Sequence, residues 1–220
     1  GTQDFQEWCD DFNGTAATFP TSADPATPWL IDDTSSSGTP TYTTGTSVAT
    51  LAFSSTSEVQ NVCLHFGDSL DFDIDDLLHI EFRVKMGQAA ADAATQLAFG
   101  LASARNDAID SIAQAALFRV VGADSTTAVV LESDDGTNDN DDVATGKTLI
   151  NAYKRFVIDF SGGKSDVKFY IDGERVASST TFDMSNYAAG LQPIVQLQKT
   201  ADTNTDSVVV DYVKVLARRS

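Results

Sequence analysis

The residues with the clearest chemical character lie between Glu132 and Gly146, in the stretch ESDDGTNDNDDVATG. Six of its fifteen residues are Asp or Glu, and none is Lys or Arg. Calcium binds six to eight oxygen ligands, and carboxylates and amides of this kind supply them. The ligand order of an EF-hand loop is absent. Two hypotheses stay open: a calcium site formed by Asp135, Asp139 and Asp141, or a solvated turn in which neighbouring carboxylates repel one another.

Glycosidases require a pair of carboxylates, and a Glu-x-Asp-x-Glu strand aims such acids into one cleft. Asp71, Asp73 and Asp75 have the alternating spacing, but no Glu accompanies them. Glu81 is isolated, since Arg83 stands where a second acid is needed. These patterns favour a solvated entry into a strand. The sequence therefore predicts no catalytic residues and a protein that is not an enzyme.

The histidines and cysteines do not form a recognisable catalytic or zinc site. His79 alternates with Glu81 on the polar side of one segment, and His65 follows Cys63 by two residues. Zinc requires three or four ligands, and no further cluster of Cys and His is present. No Gly-x-Ser-x-Gly nucleophile motif occurs near either histidine. Whether Cys9 and Cys63 form a disulfide is left open by the sequence.

The charge balance excludes two classes of partner. Lys and Arg number 14 against 32 Asp and Glu, for a formal net charge of −18. Such a surface repels the phosphates of nucleic acids and the anionic headgroups of membranes. The sequence also contains no apolar run near the roughly 20 residues that a membrane helix requires. We therefore expect neither nucleic-acid binding nor membrane binding.

Alternation of apolar and polar residues dominates the chain, as in LHIEFRVKM and YKRFVIDF, and predicts half-buried strands. In DVKFYIDGERVAS, Asp172 and Gly173 predict a two-residue type I′ turn between two strands. The one helical candidate is NDAIDSIAQAA, residues 106–116, with Asp107 as its cap. We expect ten to twelve strands and at most one or two short helices. This number of strands, joined by polar turns, predicts an all-β, two-sheet antiparallel jelly-roll sandwich that forms a single domain over residues 1–220.

Sugar binding requires exposed aromatic rings beside amide or charged side chains. Tyr170 stands on the polar side of its predicted strand, and Gln196, Gln198 and Lys199 form a polar stripe along LQPIVQLQK. These four residues are the candidates for binding a carbohydrate or a protein partner. The sequence does not choose between the two.

The segment YKRFVIDFSGGKSDVKFYIDGERVASSTTF resembles the strand, turn and hairpin of concanavalin A-like lectin and glucanase domains, including the laminin-G-like group. The terminal segments DFQEWCDDF and VDYVKVLARR also fit, since such domains bring both terminal strands together in one sheet. More narrowly, the run from FDIDDLLHIEFRVKM through FGLASARNDAID to VDYVKVLARR is similar to virion proteins of tailed bacteriophages that carry this sandwich.

The narrower resemblance implies a non-enzymatic virion structural protein, a capsid decoration or fibre-associated module on the virion surface. Its expected partners are capsid or other virion proteins, and its sandwich edges make a homo-oligomer an option. Two alternatives stay open. One is a secreted or surface carbohydrate-binding laminin-G-like module, with calcium as its candidate cofactor and an extracellular location. The other is a polysaccharide hydrolase or lyase that uses Glu81 or Asp73.

Overall fold

The structure, a computed structural model, describes residues 4–69 and 72–219. Within these ranges the chain forms seventeen β-strands and one 3₁₀ helix, Ile109–Ser111. The strands are β1 (Phe5–Asp10), β2 (Ala17–Thr18), β3 (Leu30–Asp33), β4 (Thr41–Thr44), β5 (Ala49–Ala52), β6 (Gln60–His65), β7 (Phe72–Asp73), β8 (Leu77–Met86), β9 (Thr95–Ala102), β10 (Ala115–Val121), β11 (Ala128–Asp134), β12 (Asp139–Thr148), β13 (Lys154–Asp159), β14 (Lys168–Ile171), β15 (Glu174–Val176), β16 (Gly190–Lys199) and β17 (Ser207–Arg218).

The strands pair into two antiparallel sheets, as the alternating sequence predicts. The nine-stranded sheet has the order β15-β14-β13-β8-β17-β5-β4-β2, and β1 also pairs with β17. The eight-stranded sheet has the order β12-β11-β10-β9-β16-β6-β3, and β7 also pairs with β16. The predicted two-sheet jelly-roll sandwich is therefore confirmed. That residues 1–220 form a single domain stays a prediction.

Aromatic rings from both sheets form the centre of the core. Strand alternation turns one side of each sheet inward, so that Phe82 and Phe156 of the nine-stranded sheet meet Phe99 and Phe118 of the eight-stranded sheet. The ring centroids of Phe99 and Phe156 are 4.9 Å apart, and those of Phe118 and Phe156 are 5.0 Å apart, both in edge-to-face contact. Such pairs stabilise beyond the burial of their area, and they fix how the sheets face each other.

The hairpin turn at Asp172 and Gly173 is confirmed. Both residues have positive φ, +51° and +83°, as a type I′ turn requires. The turn joins β14 to β15, and Tyr170 lies opposite Arg175 in the register.

The helix predicted for residues 106–116 is wrong in most of its length. Only Ile109–Ser111 is helical, as a single 3₁₀ turn, and Ala115 already belongs to β10. Asp107 does not cap the turn, because its carboxylate accepts hydrogen bonds from Thr34 Oγ1 and Asn61 Nδ2 instead. In residues 4–69 and 72–219, no helix is long and apolar enough to cross a membrane.

The two cysteines lie in different sheets, and both are free thiols. Cys9 is exposed on β1 of the nine-stranded sheet, whereas Cys63 is buried on β6 of the eight-stranded sheet. Because the two strands belong to opposite layers, no disulfide joins them in this structure.

Replacing Phe118 with Ala is expected to lower the free energy of unfolding by about 3–5 kcal/mol, because it removes a ring that contacts rings of both sheets. Chemical denaturation of the two proteins measures the difference. Val157→Ala, on the half-buried outer face of β13, is the matched control and should cost well under half as much. Equal losses for the two variants would contradict the assignment of the core.

Candidate active site

Alternation along β11 aims two carboxylates, Glu132 and Asp134, away from the core. Val129 and Leu131 lie on the opposite, inward side and belong to the core. Residues from β10, β12 and the 3₁₀ helix complete a depression of about 230 Å³ around these carboxylates, which we call the acidic pocket. The acidic pocket is lined by Asp110, Arg119, Glu132, Asp134, Asp139, Asp141 and Asp142.

Arg119 is the one basic residue of the acidic pocket, and it is almost completely buried. Its guanidinium is paired with the equally buried Glu132 and with Asp110 of the 3₁₀ helix. Its Nη1 also lies 3.5 Å from Asp142 Oδ1. Burial opposes the charge of Arg119, but the three carboxylates raise the pKa of the guanidinium. The side chain therefore stays protonated and holds together three carboxylates, which come from the 3₁₀ helix, β11 and β12.

Glu132 has the proton affinity that an acid catalyst needs near neutral pH. Burial raises the pKa of its carboxyl to about 7, and Asp110 and Asp141 act in the same direction, although Arg119 partly offsets them. A carboxyl whose pKa is raised in this way keeps its proton at a higher pH than a free carboxyl does, as a proton donor in catalysis must. Burial also raises the pKa of Asp139 and Asp142.

The spacing of Glu132 and Asp134 is the signal that the sequence reasoning missed. The two residues match the first part of Glu-x-Asp-x-Glu, and Gly136 stands where the last Glu would be. Two steps along a strand advance about 6.8 Å, which places both carboxyls within reach of one bound sugar. The sequence alone predicts a solvated turn or a calcium site for these acids and does not identify Glu132 and Asp134 as a catalytic pair.

The structure does not bring the three proposed calcium ligands together. Asp139 and Asp141 line the acidic pocket, but Asp135 is buried at the turn beyond it. Its carboxylate accepts hydrogen bonds from the backbone of Thr137, and from the backbone and side-chain amides of Asn138 and Asn186, at 2.7–3.1 Å. Burial raises the pKa of Asp135, yet these bonds outweigh it and lower the pKa to about 2. Among the described residues no group of three or more His, Cys, Asp or Glu is arranged to hold a metal.

The four predicted carbohydrate- or partner-binding residues are dispersed. Tyr170 lies on the outer face of the nine-stranded sheet, opposite Arg175. Gln196 and Gln198 lie on β16 of the other sheet, and Gln196 is fully buried. Gln196 Nε2 donates to Asn61 Oδ1 at 3.0 Å and to the carbonyl of Asn106 at 2.9 Å. The stripe seen in the sequence is therefore not an open binding surface.

Lys199 is buried and ties two loops together. Its ammonium lies within hydrogen-bond distance, 2.7–3.1 Å, of four backbone carbonyls, those of Ser54, Thr56, Asp202 and Asn204, which share its three N–H groups. Burial lowers the pKa of Lys199, although two nearby aspartates oppose this change. All of these contacts are internal, so we assign Lys199 a structural role.

The acids considered for the hydrolase alternative lie elsewhere on the surface. Asp73 Oδ1 accepts a hydrogen bond from the backbone of Asp75, as in a simple turn. Glu81 lies on the outer face of the nine-stranded sheet. Its Oε1 accepts a hydrogen bond from the hydroxyl of Tyr212, and its Oε2 lies 3.7 Å from Nη1 of Arg155. Neither faces the acidic pocket. Asp71 lies outside the described residues.

Comparison with known proteins places the fold. No protein-family model matches the sequence, and a search of curated proteins gives no match. Among solved structures, the laminarinase from Rhodothermus marinus has a TM-score of 0.65 at 11% identity and covers 100% of both chains. An endo-acting O-glycanase of the human gut microbiota has a TM-score of 0.64 at 10% identity, over 97% of this chain and 99% of that chain. The carbohydrate recognition domain of Emp47p has a TM-score of 0.58 at 12% identity, over 88% and 89%. The chain therefore has the concanavalin A-like jelly-roll fold.

These similarities correct two expectations from the sequence. The expected virion structural protein is wrong, because the structures that share this fold over nearly the whole chain are glycan-cleaving enzymes and carbohydrate recognition domains. The expected absence of enzymatic activity is overturned by the same finding. The comparisons give no support to capsid partners.

The raised pKa of Glu132 predicts a pH-dependent contribution to stability. The folded protein holds this proton more tightly than the unfolded chain, so the contribution is fully present below about 4.5 and is lost as the pH rises through about 7. The free energy of unfolding of the wild type, minus that of Glu132→Gln, should fall by about 2–3 kcal/mol between pH 4.5 and 8. Denaturation curves at several pH values measure it. Glu174→Gln is the control for loss of a carboxylate outside the acidic pocket. For Glu132→Gln, a difference that does not change with pH contradicts the raised pKa.

Lys199→Met is expected to lower the free energy of unfolding by about 2–4 kcal/mol, because four carbonyl groups lose their donor. The matched control is Lys147→Met, which removes a more exposed ion pair with Glu174 and should cost less than about 1 kcal/mol. Denaturant unfolding compares the two. A loss for Lys199→Met no larger than that of the control would argue against the structural role.

Proposed function

We propose that the protein cleaves glycosidic bonds in the acidic pocket, with Glu132 as the proton donor and Asp134 as the second carboxylate. One observation carries the proposal. Glu132 is a buried carboxyl whose pKa is raised to about 7, and it lies two residues from Asp134 on one face of β11. A carboxyl that holds its proton near neutral pH, next to a second carboxyl on the same face, is the arrangement that glycoside hydrolysis requires.

The reaction follows from the roles of the two carboxyls. Glu132 gives its proton to the glycosidic oxygen while the bond from that oxygen to the anomeric carbon breaks. Asp134, as a carboxylate, either attacks the anomeric carbon or takes a proton from the water that attacks it. A hydrogen bond of 2.6 Å from the backbone of Gly136 to Asp134 Oδ1 orients this second group. The configuration of the first product distinguishes the two routes.

Arg119 acts as a positioning residue in this proposal. Its guanidinium fixes the carboxyl of Glu132 from one side and holds Asp110 at the rim of the acidic pocket. The surrounding aspartates contribute negative charge near the reacting sugar. The transition state of glycoside cleavage carries positive charge on the sugar ring, and fixed negative groups nearby stabilise such charge.

The substrate class proposed is a glycan, and the similar enzymes suggest the first polymers to try. Laminarinases share the fold, as does an O-glycanase described as initiating mucin breakdown. Their identities to this chain are 10–14%, so the fold alone is common to them. The proposal keeps the extracellular location expected as an alternative from the sequence.

The direct test is release of reducing ends from β-1,3-glucan, β-1,3(4)-glucan and mucin glycans. We expect turnover of at least one of them, with a rate that falls as the pH rises above about 7, because Glu132 loses its proton. Glu132→Gln should lower kcat by about 10²–10⁴-fold, the usual contribution of acid–base catalysis.

The control for this experiment is Glu174→Gln, which keeps the acidic pocket intact and should retain wild-type turnover. Thermal unfolding of all three proteins establishes that they are folded. Saturable binding of a glycan without any cleavage would overturn the proposed hydrolysis, as would unchanged turnover in Glu132→Gln.

A further inference from the structure

Residues 104–113 leave the eight-stranded sheet and return to it at almost the same place. Ala102 at the end of β9 lies opposite Ala115 at the start of β10. Beyond this pair, the backbone of Ser103 donates to the carbonyl of Gln114 at 2.9 Å, and the two side chains share a hydrogen bond of 2.9 Å. The segment, which we call the covering segment, is therefore an excursion from a hairpin whose two ends meet.

The covering segment lies on the outer face of the eight-stranded sheet. Its two apolar side chains, Ile109 and Ile112, are 1% and 2% exposed although both belong to a loop. They form a second, smaller apolar cluster with residues of β6, β9, β10 and β16. The partners are Cys63, Ala98, Ala102, Ala115, Leu117 and Ile194. The middle of this face is thus filled by the chain itself.

Polar contacts hold the covering segment across several strands. Asn61 Nδ2 on β6 donates to the carbonyl of Asp107 at 3.2 Å, and Gln196 on β16 donates to that of Asn106. Arg105 Nε lies 2.9 Å from Asp32 Oδ2 on β3, at the far edge of the sheet. The segment therefore extends from the acidic pocket side, where Asp110 pairs with Arg119, towards the opposite edge.

One acceptor beneath the covering segment has no partner. The side chain of Gln196 is fully buried, and its Oε1 makes no hydrogen bond with the described residues. A buried acceptor without a donor costs free energy. Without the segment, this oxygen and the amide of Asn61 would face outward from the sheet, where sugar hydroxyls can reach them.

The acidic pocket is consequently closed on one side and open on the other. β12 is the edge strand of the eight-stranded sheet, so Asp139, Asp141 and Asp142 border solvent. A smaller depression of about 140 Å³ shares Asp142 and continues along β10 and β11. Across the sheet, in contrast, a bound glycan chain would meet the covering segment at Asp110, which lines the acidic pocket on that side.

We infer that the covering segment makes the acidic pocket specific for chain ends or short glycans, because it occupies the part of the sheet over which a longer chain would continue. This inference rests on the proposed hydrolysis in the acidic pocket. It identifies residues 104–113 as the specificity-determining element and Ile109 and Ile112 as its anchors.

The test replaces residues 104–113 with Asn-Gly, a turn suited to a two-residue hairpin, so that β9 runs directly into β10. The wild type should release short products from the polymer that it cleaves, while the length of that polymer changes little. The shortened variant should cleave internally, and the fall in solution viscosity per reducing end released should increase about tenfold or more. An unchanged ratio in a folded shortened variant overturns the inference.

Two further variants keep the test decisive. Asp110→Asn removes the carboxylate of the covering segment from the acidic pocket but leaves the segment in place. The cleavage rate of this variant can change, but it should still release short products. If the shortened variant does not fold, Ile109→Ser with Ile112→Ser loosens the segment at full chain length, and it should shift products towards internal cleavage. A shift in Asp110→Asn equal to that of the double variant contradicts a steric role.

Binding separates this inference from the proposed function. If the wild type cleaves none of the glycans, the proposed hydrolysis fails, and titration with oligosaccharides of increasing length then tests the covering segment alone. For the wild type, the affinity should stop increasing once the oligosaccharide exceeds a short length. For the shortened variant, the affinity should continue to increase with oligosaccharide length. Parallel length dependence in both proteins, or binding by neither, overturns the inference.

Discussion

The ion pairs between the buried Arg119 and the carboxylates around it organise the acidic side of this sandwich. The six acids between Glu132 and Gly146 repel one another. The sheet reduces this repulsion because several of these carboxylates line one pocket with the guanidinium of Arg119. Glu132 is buried with it, whereas Asp110 and Asp142 remain partly exposed and reach it from outside. Removing one member of such a buried pair leaves an uncompensated charge, so the acidic pocket and the three strands β10, β11 and β12 around it depend on each other.

The fold was predictable because its physical cause is local. Alternation along LHIEFRVKM and YKRFVIDF decides which side chains face inward, and Asp172 and Gly173 accept the positive φ of their turn without help from distant residues. These features depend on neighbours in sequence. The pairing of the first and last strands joins residues far apart in sequence, and only the resemblance predicts it.

The site depends on neighbours in space, and here the sequence was a poor guide. Residues 106–116 have helical spacing, but Ile109 and Ile112 gain more by packing on the sheet than a helix of that length would provide. In the sequence Lys199 belongs to a polar stripe, but in the structure the loops around residues 54–56 and 202–204 enclose it. Glu132 and Asp134 have the spacing of catalytic acids, and only the burial of Glu132 beside Arg119 distinguishes them from other carboxylates in the same stretch.

The ammonium of Lys199 has a wider consequence. Four carbonyl oxygens converging on one positive charge is an arrangement that proteins often complete with a dissolved cation, whose occupancy varies with the medium. In this chain the charge is covalently attached to β16, so its local concentration is constant. The two loops it joins keep their geometry in ion-poor surroundings and in the presence of chelators, without any dependence on supply from outside.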